Sequence, residues 1–349
     1  MTTEIKKPDT NIRSFSNDKN LNRIVLIGGS AGSFQSISQI VSELDAQLPI
    51  AIIVVIHMGT HSFDSLLANL QKVTNFSLGY AEQEQSIEAG YVYVVPPNHH
   101  CMVQNGKLYL HRGPRVNTFR PSIDIAFRSA AVNYAARAVG VILSGLRDDG
   151  AIGMQAIKSC GGTTIVQSPD EAEYEDMPQQ VMEAVDVDHV SAVRNIINLI
   201  ENNSKEKLES IVTIPDNIKI EYDLDMFGGN KIEKLNKIGD QTSVSCPACG
   251  GPLWQIKNEK SIHFRCHIGH SLTPKVLING QDEQIQQSLW LAYRILDEKY
   301  RMQKKLAEKI VSEENKIYKS LYEDKINETR ENLDILRNTL SNIIKEDVG

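Results

Sequence analysis

From Arg23 onward, short apolar runs alternate with amphipathic stretches: RIVLIG, then SISQIVSELDAQL, then IAIIVVIHM, then SFDSLLANLQKV. Uninterrupted apolar runs read as strands buried on both faces, and three- to four-residue apolar spacing reads as helix, so this beat predicts parallel βαβ units. A turn-rich segment follows, with YVYVVPP and KLYLHRG flanking PPNHH and QNGK; it predicts a hairpin and is the least parallel part of the pattern. Beyond it, SIDIAFRSAAVNYA reads as a helix and AVGVILSG as a buried strand. AIGMQAIKSC reads as a helix closed by Gly161-Gly162, TTIVQ as another strand, and SAVRNIINLIENN as the helix that ends the domain near residue 203. The prediction for 21–203 is an α/β domain with a doubly wound, mostly parallel sheet.

The pattern breaks on both sides of that domain. Residues 1–20 are polar and aperiodic, which predicts a disordered tail. Residues 204–242 are charged and weakly patterned, as expected of a linker. Residues 243–280 hold a Cys/His cluster and predict a small zinc-ribbon-like unit. From 281 to 346 there is no Pro or Gly, and Leu289, Ala292, Leu296, Met302, Leu306 and Ile310, then Leu333, Leu336, Leu340 and Ile343, recur at helical spacing. That tail predicts a helical hairpin or a coiled coil, and self-association through these helices is one use of such a seam.

Composition narrows the classes of function. With 41% hydrophobic and 23% charged residues in 349, the chain resembles an ordinary globular protein. A formal charge of -7 argues against nonspecific binding to nucleic acid or anionic membrane and leaves proteins and small molecules as partners. No apolar run approaches the roughly 18 residues that span a bilayer, and the first twenty residues lack the apolar stretch of a signal peptide, so a cytoplasmic protein is expected. Of five cysteines, three crowd between 246 and 266, which suits metal ligation better than disulfides. Cys101 and Cys160 sit alone among apolar or small residues and read as small buried hydrophobes.

Candidate chemistry begins where RIVLI runs into Gly28-Gly29-Ser30-Ala31-Gly32 ahead of a helix, a literal G-x-S-x-G. Small neighbours let a serine project from a sharp strand-to-helix bend, and the helix N-terminus offers N–H groups to an oxyanion, with the Ala31 amide as the candidate donor. A structural or phosphate-binding turn is the alternative. The dinucleotide pattern G-x-G-x-x-G and the P-loop Gly-Lys-Ser/Thr are both unmet. The next strand ends in His57, which a parallel sheet places at the same carboxyl edge as Ser30, where it would serve as general base. AVGVIL then delivers Ser144-Gly145-Leu146-Arg147-Asp148-Asp149-Gly150. Asp149 is the expected carboxylate partner of the histidine, with Asp148 its competitor. The order Ser, His, Asp differs from the Ser, Asp, His of α/β-hydrolases.

Together these residues resemble the CheB-type protein-glutamate methylesterases over about 23–200. The carrying pieces are I-G-G-S-A-G, H-M at 57 and 58, V-V-P-P-N-H-H at 94 to 100, R-P-S-I-D at 120 to 124, F-R-S-A-A at 127 to 131, L-S-G-L-R-D-D-G at 143 to 150 and D-M-P at 176 to 178. The resemblance implies a CheB methylesterase-like fold, with Ser30 as nucleophile, His57 as base and Asp149 as the aspartate. It also implies hydrolysis of glutamate γ-methyl esters on methyl-accepting chemotaxis receptors, glutamine deamidation by the same acyl transfer, and no cofactor for catalysis. Arg120 and Arg128 are candidates for greeting acidic patches of such receptors, with packing or surface salt bridges as the plain alternative. Typical relatives carry an N-terminal receiver domain, for which twenty polar residues leave no room, so regulation is expected to differ. Ala31-Gly32-Ser33 and Leu146-Arg147 depart from the Thr-Gly-Gly and Met-Gly of many relatives, which keeps a weakly active scaffold or adaptor of a chemosensory complex as the second reading.

C-P-A-C-G-G-P-L-W followed by F-R-C-H-I-G-H places Cys246 and Cys249 on one knuckle and Cys266 and His270 on another. This spacing predicts a tetrahedral, structural zinc site, with His267 as the alternative fourth ligand.

Overall fold

The two most apolar runs become β1 (Arg23–Gly29) and β2 (Ile50–Ile56), buried at every position. This computed structural model describes residues 21–57, 63–146, 148–206, 212–226, 231–257, 261–310 and 316–346; the tail expected over 1–20, Met58 and Arg147 lie outside them. Five further strands join the same sheet: β3 (Ser77–Tyr80), β4 (Tyr91–Val94), β7 (Ala138–Ile142), β8 (Thr163–Gln167) and β9 (His189–Ser191). Their order is β3-β4-β2-β1-β7-β8-β9, and every pairing is parallel.

Burial on both faces explains the unbroken apolar runs. Along β1, Ile24 and Leu26 enter a core with α3 (Ile123–Tyr134), α4 (Ala151–Ser159) and α5 (Asp176–Ala184). Val25 and Ile27 enter the opposite core with α1 (Ser33–Glu43), α2 (Phe63–Val73) and α6 (Val193–Lys205). Each such side chain contributes about 1.5–3 kcal/mol on burial, so the period-two alternation of β1 fixes its register between the two helical layers. The expected hairpin is shifted: YVYV is β4 of the parallel sheet, and the hairpin is β5 (His100–Gln104) with β6 (Lys107–His111), turning on the left-handed Asn105-Gly106.

The stretch expected as a linker, 204–242, contains α7 (Asp216–Asp225) and α8 (Lys231–Ile238). Its charges are not all solvated. Glu221 and Asp225 are buried, and both pair with Arg128 of α3 and with Arg265 of β12 (His263–Cys266). Glu221 Oε2 lies 3.3 Å from Arg128 Nη2, 3.0 Å from Arg265 Nη1 and 3.1 Å from His263 Nε2. Counter-charges supplied from elsewhere in the chain are invisible to local patterning, which is why this segment read as a connector.

β10 (Gly239–Ser245), β11 (Pro252–Ile256), β12 and β13 (Ser271–Leu272) form an antiparallel sheet in that order, and it belongs to the same compact unit as the parallel sheet, which extends to Pro274. Trp254 anchors its core against Leu224, Leu235 and Ile238. The ribbon starts earlier than expected because β10 is largely exposed and polar, and it ends earlier because α9 (Pro274–Ile310) runs straight through Gly280.

The second unit, from Lys275, holds most of α9 and α10 (Lys316–Glu346). Leu333 and Leu340 are buried, while Trp290, Leu291, Ile295 and Met302 are exposed. Arg337 Nη2 donates to the Tyr293 hydroxyl at 3.0 Å, which ties the two helices to each other. Among the described residues no helix is long and apolar enough to cross a membrane.

Candidate active site

β1 and β2 pair Gly29 with Ile56, and the His57 amide donates to Gly29 O at 3.1 Å, so Ser30 and His57 are the first residues past two paired strand ends. Adjacent strands lie roughly 4.8 Å apart, which sets the two residues side by side at the carboxyl edge. Ser30 N donates to Ser144 O at 3.0 Å, stitching the nucleophile turn to the loop after β7. The Ser30 carbonyl is taken by Ser33, from Oγ at 2.7 Å and from N at 3.2 Å. Because a trans peptide points its N–H opposite to its C=O, this clasp aims the Ala31 N–H away from Ser33. Gly145 is required by close approach: a Cβ there would stand 2.9 Å from Ser30 Cβ and 2.9 Å from Met177 Cε.

His57 Nε2 is 2.9 Å from Asp149 Oδ2, and Nδ1 is buried with no hydrogen-bond partner among the described residues. With Asp149 ionised, the proton sits on Nε2, and Nδ1 presents its lone pair. The imidazole is stacked on Phe119, 3.7 Å between centroids and 6° between planes.

Asp149 is fully buried. Its Oδ2 also accepts from Ile123 N at 2.7 Å; its Oδ1 accepts from the Ser122 hydroxyl at 3.1 Å and, more distantly, from Asn117 Nδ2 and Asp124 N, both at 3.4 Å. Burial opposes ionisation, but the hydrogen bond and charge of His57, with the Ile123 amide, outweigh it and hold this carboxyl below its ordinary value. Neighbouring Asp124 goes the other way. Burial first, and the Asp149 charge second, push its pKa well up, so Asp149 carries the negative charge of the pair. Asp124 Oδ1 accepts from Gly150 N at 3.0 Å and Gly153 N at 2.7 Å, pinning the start of α4 just after Asp149. Asp148 faces away from His57: its Oδ2 accepts from the Thr273 hydroxyl, and its Oδ1 has no partner among the described residues.

Of the two candidate substrate arginines, Arg128 lies in the buried ion cluster described above and is 1% exposed, so it cannot greet a receptor. Arg120 turns its Nη1 to the carbonyls of Gly113 at 2.7 Å and Arg112 at 3.2 Å, with Nε buried and without a partner among the described residues. Four groups around Asp149 and His57 escaped sequence reasoning in these roles: Asn117, Phe119, Ser122 and Asp124. Ser122 and Asp124 stand inside R-P-S-I-D, whereas Asn117 and Phe119 occupy a loop without periodicity. Cys101 and Cys160 are buried, and burial pushes both thiols up to about 12.

In the ribbon, Cys246, Cys249, Cys266 and His270 present ligand atoms that all lie within 4.8 Å of one another. Cys249 Sγ is 3.8 Å from Cys266 Sγ, and Cys266 Sγ is 3.4 Å from His270 Nδ1. His267 does not join this group; its ring lies beside Gly251.

The CheB methylesterase family profile matches residues 25–200. A Leptospira interrogans relative is 38% identical over 186 residues, covering 53% of this chain and 96% of that protein. A Symbiobacterium thermophilum protein-glutamate methylesterase/protein-glutamine glutaminase is 35% identical over 179 residues, covering 51% of this chain but 49% of the longer relative. The Thermotoga maritima CheB methylesterase catalytic domain superposes with a TM-score of 0.50 at 30% identity, over 52% of this chain and 98% of that domain. The seven parallel strands, the carboxyl-edge cluster and these matches coincide on the same residues, and the chain belongs to the CheB methylesterase family.

Proposed function

We propose that this chain is a protein-glutamate methylesterase that hydrolyses glutamate γ-methyl esters on methyl-accepting chemotaxis receptors, with Ser30, His57 and Asp149 as its reacting triad. The observation that carries the residue assignment is the buried His57 Nε2–Asp149 Oδ2 pair at 2.9 Å, with Nδ1 buried and without a partner among the described residues, next to the strand end bearing Ser30. Ser30 Oγ attacks the ester carbonyl while its proton passes to His57 Nδ1, and the Ala31 amide receives the developing oxyanion. The tetrahedral adduct collapses, the His57 proton goes to the departing methoxide, and methanol leaves an acyl-Ser30. Water, deprotonated by His57, then attacks the acyl carbon; glutamate is released and Ser30 regains its proton. A glutamine substrate follows the same path with ammonia as the leaving group.

This chemistry draws on side chains and backbone alone. The Cys246, Cys249, Cys266 and His270 group suits a zinc ion held for structure: sulfur ligands at about 2.3 Å in a tetrahedron stand roughly 3.8 Å apart, the separation found between Cys249 and Cys266. Four protein ligands leave no position for substrate. Metal analysis of the purified chain should find one zinc per chain, and Cys266→Ser should lower that content. Exposed Trp290, Leu291, Ile295 and Met302 make self-association through α9 part of the same reading, measurable by sedimentation. Methanol release from methylated receptor fragments, abolished by Ser30→Ala, tests the activity; a chain that binds such fragments without releasing methanol would instead be an adaptor.

A further inference from the structure

The turn between β6 and α3 connects the ribbon to the reacting groups. Val116 and Phe119 exchange backbone hydrogen bonds, Phe119 N to Val116 O at 2.8 Å and Val116 N to Phe119 O at 3.2 Å. The two residues between them, Asn117 and Thr118, are both left-handed, with φ of 49° and 71°. Asn tolerates that conformation, but a β-branched threonine does not favour it, so the turn needs support from outside. β13 supplies it. Val116 bridges Ser271, Asn117 N donates to Ser271 O at 2.9 Å, and Thr273 N donates to Asn117 Oδ1 at 3.1 Å.

That last bond fixes which way the Asn117 amide points. Its oxygen is taken by a backbone N–H, so its NH2 group faces the carboxylates, 3.0 Å from Asp124 Oδ2 and 3.4 Å from Asp149 Oδ1. Two residues on, Phe119 stacks on His57. The same short stretch of ribbon holds the other flank of Asp149, because the Thr273 hydroxyl donates to Asp148. His270, of the proposed metal group, directly precedes Ser271.

We propose that Asn117 is a positioning residue for Asp149 in the esterase reaction, and that the ribbon's last strand β13, with Thr273 directly after it, is its mount. The Cys/His ribbon is thereby part of the support of the active site rather than an appendage to it. The proposal rests on the assignment of Ser30, His57 and Asp149 as reacting groups, and the test separates it from the choice of receptor substrate.

The test is the rate at which a fluorophosphonate labels Ser30 in the full chain, followed against pH, beside methanol release. Labelling forms the Ser30 Oγ–phosphorus bond with loss of fluoride and transfer of the serine proton to His57, and it needs no receptor. Asn117→Gly keeps the left-handed backbone and removes the amide. Asn117→Asp keeps an acceptor for Thr273 N and replaces only the donor that faces Asp149. Thr273→Val keeps the backbone N–H and removes the hydroxyl on Asp148. Both Asn117 variants should label about 10-fold or more slowly, and the acid limb of Asn117→Gly should move to higher pH, because a carboxylate that has lost a donor leaves more of its charge to the imidazolium. Thr273→Val should slow labelling about 3-fold. Asn117 variants that label at the parent rate with an unmoved limb would overturn the positioning role and, with it, the mount, and an unaffected Thr273→Val would overturn the part of the Thr273 hydroxyl on the Asp148 flank. If the parent chain labels at Ser30 yet releases no methanol, the methylesterase reading fails while labelling still decides this proposal; a parent that does not label overturns both.

Discussion

The imidazole of His57 lies face to face with the ring of Phe119, 3.7 Å between centroids and nearly parallel. A ring on that face restricts the rotation that would swing Nδ1 away from Ser30, and its π surface favours the imidazolium formed as the serine proton is taken. Such a stack contributes about 0.5–1.5 kcal/mol. Phe119→Ala is therefore expected to lower kcat/KM for methylated receptor fragments about 2- to 10-fold, and Phe119→Leu less, as steady-state methanol release would measure.

Gly145 lies close against the nucleophile. A methyl group there would stand 2.9 Å from Ser30 Cβ, an atom that moves only with the backbone. Gly145→Ala should displace Ser30 by a few tenths of an ångström and lower kcat by at least about 10-fold while the chain remains folded, as circular dichroism and labelling rates would together report.

The sheet and its carboxyl edge were legible because both rest on local pattern. β1 and β2 are apolar at nearly every position, and in a parallel sheet the residues that follow them must emerge together. The choice between Asp148 and Asp149 was not decided by pattern alone; the structure turns Asp149 to His57 and Asp148 to Thr273, a residue more than a hundred positions away. Asn117 and Phe119 were illegible for the same reason, since their placement depends on β13. Arg128 looked available for docking because its two carboxylates lie on α7, in a stretch whose charges suggested solvent.

The Arg128 cluster makes its own prediction. Removing one partner of a buried ion pair leaves an uncompensated charge and costs about 3–5 kcal/mol. Arg128→Met should destabilise the chain on that scale in denaturant unfolding, because Glu221 and Asp225 lose a shared partner, while fragment binding by the remaining folded fraction is unchanged.

His100 predicts how stability depends on pH. Its Nδ1 accepts from Ser122 N at 3.2 Å and its Nε2 meets Pro114 O at 2.9 Å, so it is neutral and buried beside a residue that holds Asp149. Burial first, and His111 second, lower its pKa from 6.5 to about 4. A folded value below the unfolded one gives stability that is present above pH 6.5 and lost as pH falls toward 4. The loss is about 3 kcal/mol. Unfolding free energies measured from pH 7 to 4 should show that decline, and His100→Gln should flatten it.

The central claim is tested most directly by methanol release from methylated receptor fragments, comparing the parent chain with Ser30→Ala and His57→Ala. The account predicts release by the parent and loss of at least about 1,000-fold in each variant. Release that survives Ser30→Ala would contradict it, because the carbon–oxygen cleavage would then not pass through an acyl-Ser30.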